Sequence, residues 1–168
     1  MKFTADYWIE KLNLIKHPEG GYFKEIYRSN EIIDQNHLPE RFRGTRCLST
    51  SIYFLLKGDK FSAFHRIKSD EIWHFHAGTA LMIYIIDENG ELSVLKLGSN
   101  YEKEEQFQIT IPKESWFAAK VINKNSFSLV GCTVAPGFDF TDFELGKKDE
   151  LLQKYSQHKE LLDLFCKE

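Results

Sequence analysis

Phe61–Gly78 reads FSAFHRIKSDEIWHFHAG, and the fold turns on how this stretch is arranged. Five residues separate His65 from Glu71, and six separate Glu71 from Gly78. Two short strands joined by the polar turn Lys68-Ser69-Asp70 would carry it. Side chains two apart on a strand share a face. His65 and Ile67 therefore point one way on the first strand, and Glu71, Trp73 and Phe75 point together on the second. His74 and His76 have the opposite parity and face away, unless a bulge intervenes. A histidine and a carboxylate on an aromatic, concave sheet face suit acid–base chemistry or metal binding. They serve equally as a satisfied polar pair in a barrel wall.

Outward from this segment the chain keeps period two. Tyr22–Arg28, Ser51–Leu56, Leu81–Ile86, Leu92–Leu97, Gln106–Ile111, Trp116–Val121 and Phe127–Ala135 all alternate. Asp87-Glu88-Asn89-Gly90 between two such runs predicts a hairpin turn. Regular short strands between turn residues argue for a sandwich or barrel. Helices are expected only at the ends. Thr4 caps one that runs to about Leu14, stopped by His17-Pro18-Glu19-Gly20-Gly21. Past Gly146, leucines and aromatics at helical spacing predict a helical pair over one outer sheet face. Asn30–Cys47 is too long for a hairpin and reads as a lid, a binding loop or a merely mobile connection.

Composition narrows the class. At 168 residues with 42% hydrophobic residues, one domain can bury a core of ordinary size. The net charge of −3 leaves no electrostatic footprint for nucleic acid or an anionic membrane. Cys47, Cys132 and Cys166 are odd in number and in no metal-type spacing, which suits a reduced, cytoplasmic setting. Asp6 and Glu10 interrupt the N-terminal apolar run, so no signal peptide is expected. No apolar run approaches the ~18 residues that crossing a membrane requires.

The spacing of His65, Glu71 and Gly78 resembles the first motif of the cupin superfamily, G-x5-H-x-H-x3,4-E-x6-G. The second histidine of that motif falls at Ile67 and its opening glycine at Asp59. The second motif, P-x-G-x2-H-x3-N, falls on Pro112–Val121, with Glu114 for the glycine, Phe117 for the histidine and Val121 for the asparagine. A closer resemblance is to the fifth cupin family, small uncharacterised proteins often compared with sugar-nucleotide epimerases. It is carried by His17–Phe23, Ser49–Leu56, Phe64–Arg66, Asp70–Phe75, Gly131-Cys132 and Pro136–Phe140, nearly the whole chain. The resemblance implies an all-β, cupin-type double-stranded β-helix (a jelly-roll barrel). Its span is a single domain over 1–168, with an N-terminal helix in 1–16, the barrel in 20–145 and C-terminal helices in 147–166. It also implies a homodimer.

Two of the four usual cupin metal ligands are missing, since Ile67 and Phe117 offer no lone pairs. No metal or other cofactor is therefore expected. His65 and Glu71 are the candidate catalytic residues, with Glu71 holding the imidazole in one tautomer and raising its pKa. The candidate ligand-binding set is Tyr22, Glu25, Tyr53, His65, Glu71, Trp73, Phe75 and Phe117. The aromatics would stack a flat ring or a sugar face, or simply fill a small barrel. The reading is a small-molecule-binding protein, in the enzyme case a metal-independent epimerase or isomerase acting on a sugar or nucleotide derivative. A non-catalytic sensing module is the alternative, with a metal-dependent oxygenase behind it.

Overall fold

A computed structural model describes residues 3–167. The strands are β1 (Ile15–Lys16), β2 (Tyr22–Arg28), β3 (Ile32–Ile33), β4 (Arg46–Cys47), β5 (Thr50–Lys57), β6 (Phe61–Arg66) and β7 (Asp70–Gly78). They continue with β8 (Leu81–Ile86), β9 (Leu92–Leu97), β10 (Glu105–Gln106), β11 (Gln108–Ile111), β12 (Trp116–Val121), β13 (Phe127–Ala135) and β14 (Glu144–Leu145). Among the described residues three short α-helices complete the list: α1 (Ala5–Lys11), α2 (Lys148–Lys154) and α3 (Lys159–Phe165).

Two six-stranded sheets face each other, ordered β1-β2-β5-β13-β7-β11 and β10-β9-β8-β12-β6-β14. Apart from the parallel pair β9 and β10, the ladders are antiparallel. This is the expected jelly-roll architecture. Alternation places Phe54, Leu56, Trp73, Ile109 and Val130 of one sheet against Ile83, Ile85, Phe117 and Ala119 of the other in one buried cluster. Most strand runs read from the sequence fall where expected. Gln106–Ile111 is the exception, because Phe107 is the point where the chain passes from one sheet to the other.

The helices cover outer faces. Leu151, Tyr155, Leu162 and Phe165 of the C-terminal segment bury Phe64, Ile86, Trp116 and Ala118 on the second sheet. Helix α1 is capped by Thr4, whose Oγ1 accepts from the Tyr7 amide at 3.2 Å. It stops at Lys11, short of Leu14, because Asn13 turns into the left-handed region at φ 53°. Its Trp8, Ile9 and Leu12 pack on Leu55, Leu129, Tyr22 and Tyr53 of the first sheet. The long connection before β5 is not featureless, since β3 and β4 form a small ribbon within it. Among the described residues no helix is long and apolar enough to cross a membrane.

The deciding segment is not a hairpin. β6 belongs to the second sheet and β7 to the first, so Ile67–Ser69 is a corner that changes sheets. His65 and Glu71 therefore look at one cavity from different walls.

Candidate functional site

At one end of the sandwich the two sheets leave a cavity of about 270 Å³. Its walls come from Phe23 and Glu25 on β2, Thr50, Ile52 and Phe54 on β5, and His65 on β6, with Ile67 just beyond. Glu71 and Trp73 on β7 and Cys132 and Val134 on β13 close the inner side. Phe138, Phe140 and Phe143 from the segment after β13 stand at the mouth with Arg28 and Asp139.

The polar centre is Glu19, from the loop joining β1 to β2. Two glycines let the chain turn there. Gly20 has φ +124°, and a Cβ on it would lie 2.3 Å from the Phe61 carbonyl oxygen, so only glycine brings the loop this close to β6. Docked in this way, the Glu19 carbonyl accepts from the Ala63 amide at 2.9 Å. The carboxylate accepts from Ser62 Oγ at 2.8 Å and lies 3.0 Å from His65 Nε2 and 3.2 Å from His17 Nδ1. Burial alone would raise the Glu19 pKa, but His65, His17 and Ser62 together hold it below the usual carboxylate range.

His65 is 2% exposed, and its Nδ1 lies 2.7 Å from the Ala63 carbonyl oxygen. A carbonyl only accepts, so Nδ1 carries a proton. Nε2 in turn faces the Glu19 carboxyl at 3.0 Å, so a proton added to the pair would lie between them. Burial pulls the imidazole pKa down, while Glu19 and the Ala63 carbonyl push it up. Glu19 and His65 thus compete for one proton.

Glu71 behaves in the opposite way. Burial, then the charge of Glu19, push its pKa up to about 8, against the Trp73 indole and Cys132 thiol, which pull it down. At neutral pH it is a carboxylic acid. The Trp73 indole Nε1–H beside it is buried and acts on this carboxyl, but meets no acceptor at hydrogen-bond geometry.

The sequence expectation for His65 therefore needs correcting. Its carboxylate partner is Glu19, because the change of sheet after Arg66 carries Glu71 to the opposite wall. Glu25, His65, Glu71 and Trp73 do line the cavity, whereas Tyr22, Tyr53, Phe75 and Phe117 do not. Tyr22 and Tyr53 have the wrong parity and lie under α1 on the outer face. Phe75 has the right parity but packs against the central core instead. Phe117 backs the site, with its ring centroid 4.0 Å from that of His65 and 6.1 Å from that of Trp73. His76 lies on the outer face, its ring 5.8 Å from Tyr53.

Sequence reasoning missed Glu19, His17, Cys132 and the Phe138–Phe143 cluster as site residues. The Glu19-Gly20-Gly21 pattern was the available signal, since a carboxylate beside two glycines marks a loop able to approach other backbone closely.

The donor set does not fit a resident metal. Glu19 meets His65 and His17 directly, at 3.0 and 3.2 Å. Ile67 contributes only an aliphatic wall and Phe117 only a ring. Among the described residues no group of three or more His, Cys, Asp or Glu side chains is placed to hold an ion.

At the mouth, Arg28 is already engaged. Its Nε and Nη2 donate to both oxygens of Glu25 at 3.0 and 2.7 Å, and Nη2 also reaches the Phe138 carbonyl at 3.1 Å. Nearby, Arg46 and Asp142 make a buried bidentate pair, both bonds 2.6 Å, that fixes the segment carrying Phe140 and Phe143.

Comparison with known proteins agrees with this architecture. Protein SO0799 from Shewanella oneidensis has a solved structure that matches with TM-score 0.89 and 41% identity, covering 98% of each chain. A hypothetical protein from Leishmania major matches with TM-score 0.89 and 34% identity, over 99% of this chain and 100% of that one. The uncharacterized protein YML079W of Saccharomyces cerevisiae is 32% identical over 153 residues, 85% of this chain and 76% of that protein. The family model described as cupin superfamily (DUF985) matches residues 6–146, and the chain belongs to that family.

Proposed function

We propose that the protein binds a small organic molecule in the cavity between its two sheets. The observation that carries this reading is the buried carboxyl of Glu71 in an aromatic-walled space, beside an indole N–H that meets no acceptor at hydrogen-bond geometry. Apolar walls with a few convergent polar groups are what small-molecule sites generally present. The volume of about 270 Å³ lies just under the usual ~300–1,000 Å³ for drug-sized ligands. At ~30 Å³ per water it corresponds to about nine waters, which is room for a compound of one or two rings. A whole sugar nucleotide would leave most of itself outside. Ligand-observed NMR with 2-pyridone, phenol and indole tests the reading, comparing wild type with Ile52→Trp, which fills the space. Binding in the wild type alone is expected; equal signals from both proteins would overturn it.

A second reading is metal-independent isomerisation by proton transfer. It is favoured by two acid–base groups pushed in opposite directions in one cavity, Glu71 upward and Glu19 downward. Glu71 would give a proton, and the Glu19–His65 pair would take one up. Deuterium entering a carbon of a bound compound in D2O, with wild type but not with Glu19→Gln, is the expected sign. Absence of exchange for every compound that binds leaves only the recognition role.

We extend the proposal to a homodimer in a reducing compartment. Three buried free thiols support the compartment. Exposed Ile26 and Tyr27, on the part of β2 that β1 does not pair, support a partner along that edge. Light scattering at the mass of one chain would refute the dimer.

A further inference from the structure

We propose that the cavity is built for a planar cyclic amide, a ring whose adjacent N–H and C=O pair with the carboxyl edge of Glu71. This rests on the ligand-binding reading above and narrows it to one chemical class.

Four observations lead there. The first is charge. Arg28 at the mouth is spent on Glu25 and on the Phe138 carbonyl. The carboxylates of Glu19 inside and of Glu25 and Asp139 at the mouth also line the cavity. An anionic ligand would find no free guanidinium and would meet the Glu19 carboxylate, so a neutral ligand is favoured.

The second is hydrogen-bonding pattern. Glu71 is 8% exposed and has no cation among the groups that act on it. In its neutral form it offers an O–H donor and a C=O acceptor side by side. The complement is an acceptor and a donor at the same spacing, which is the edge of an amide. The third is the buried Trp73 Nε1–H. Such a donor is costly to leave unmade, and a ligand carbonyl arriving at Glu71 brings a second lone pair to its neighbourhood.

The fourth is shape. Phe23, Phe54, Trp73, Phe138 and Phe143 present ring surfaces, and about nine waters' worth of volume holds one flat ring. An open-chain amide would leave the aromatic walls without a partner.

The test is calorimetric titration with 2-pyridone and with 1-methyl-2-pyridone, which keeps the ring and carbonyl but lacks the N–H. Wild type should bind 2-pyridone at least about tenfold more tightly, the worth of one or two well-placed hydrogen bonds. Its affinity should fall about tenfold between pH 6.5 and pH 9, because Glu71 ionises at about 8. Glu71→Gln retains a donor beside an acceptor, so it should still prefer 2-pyridone and should lose the pH dependence. Glu71→Leu should bind the two rings equally. If that variant fails to fold, the methylated ring and the glutamine variant still decide.

Equal affinity of wild type for the two pyridones, or a preference surviving in Glu71→Leu, overturns the amide assignment. So does binding of indole alone; in each of these outcomes the cavity remains a binding site. No response to either pyridone or to indole overturns both the assignment and the binding reading.

Discussion

Wild type and Glu71→Gln are expected to diverge in stability as pH rises. Folding moves the Glu71 carboxyl from its ordinary 4.5 to about 8, chiefly through burial. A raised acid pKa means that the folded state prefers the protonated form. The associated stability is present in full below pH 4.5 and is lost as pH climbs through about 8. The gap between those values, at ~1.36 kcal/mol per pH unit, amounts to about 5 kcal/mol. Glutamine has the same shape and no proton to lose, so the variant escapes this loss. Groups common to both proteins, Glu19 and His65 among them, cancel in the difference. Urea unfolding followed by tryptophan fluorescence at pH 4.5, 5.5, 6.5, 7.5 and 8.5 would read it. With a slope of ~1–3 kcal/mol per molar urea, the midpoints should separate by roughly 2 M or more across the series. Two curves that stay parallel within ~1 kcal/mol would refute the neutral buried carboxyl, and the amide-binding edge with it.

Glu19→Ala should destabilise the fold by about 3–5 kcal/mol in thermal or urea unfolding, since it strands the buried partners of a hydrogen-bonded charge. Gly20→Ala should cost ~1–3 kcal/mol or more, because its φ of +124° and the Phe61 carbonyl at 2.3 Å both oppose a Cβ. Gly44→Ala is the control at φ +85°, where the nearest atom is the end of the Arg46 side chain at 3.7 Å, and it should cost only ~1 kcal/mol. Tyr53→Phe should leave the affinity for 2-pyridone within about twofold, because that ring lies on the outer face under α1; a larger change in titration would contradict the strand parity.

Period two was enough to find the longer strands, and parity alone placed Glu71 and Trp73 inward with His76 on the outer face. Both follow from the pleat, which is a local property of the backbone. What parity cannot reveal is which sheet a strand joins. His65 and Glu71 look like hairpin neighbours in sequence, but Ile67–Ser69 turns a corner, and the histidine's carboxylate comes from a loop 46 residues upstream. Glu19 stands among turn-forming residues with no periodicity to orient its side chain, so only the packed structure shows that the loop folds into the barrel. The same holds for Phe138–Phe143, whose aromatics line the mouth without belonging to any long strand. Tyr22 and Phe75 show the remaining limits: the first lies on the far face, and the second faces inward beyond the end of the cavity.

The loop that carries Glu19 also bears on when the cavity comes into being. Glu19 meets Ser62 43 residues away, Arg28 meets Phe138 110 residues away, and Arg46 meets Asp142 96 residues away. Contacts so distant along the chain pay their loop-closure entropy before they return any stability, and they form slowly. During synthesis no nascent chain holds a complete cavity until Phe143 has emerged. A compound that fits the cavity therefore recognises finished molecules and ignores partly made ones. Once it is well above its Kd, each further tenfold rise in its concentration shifts the balance toward the finished molecule by ~1.4 kcal/mol.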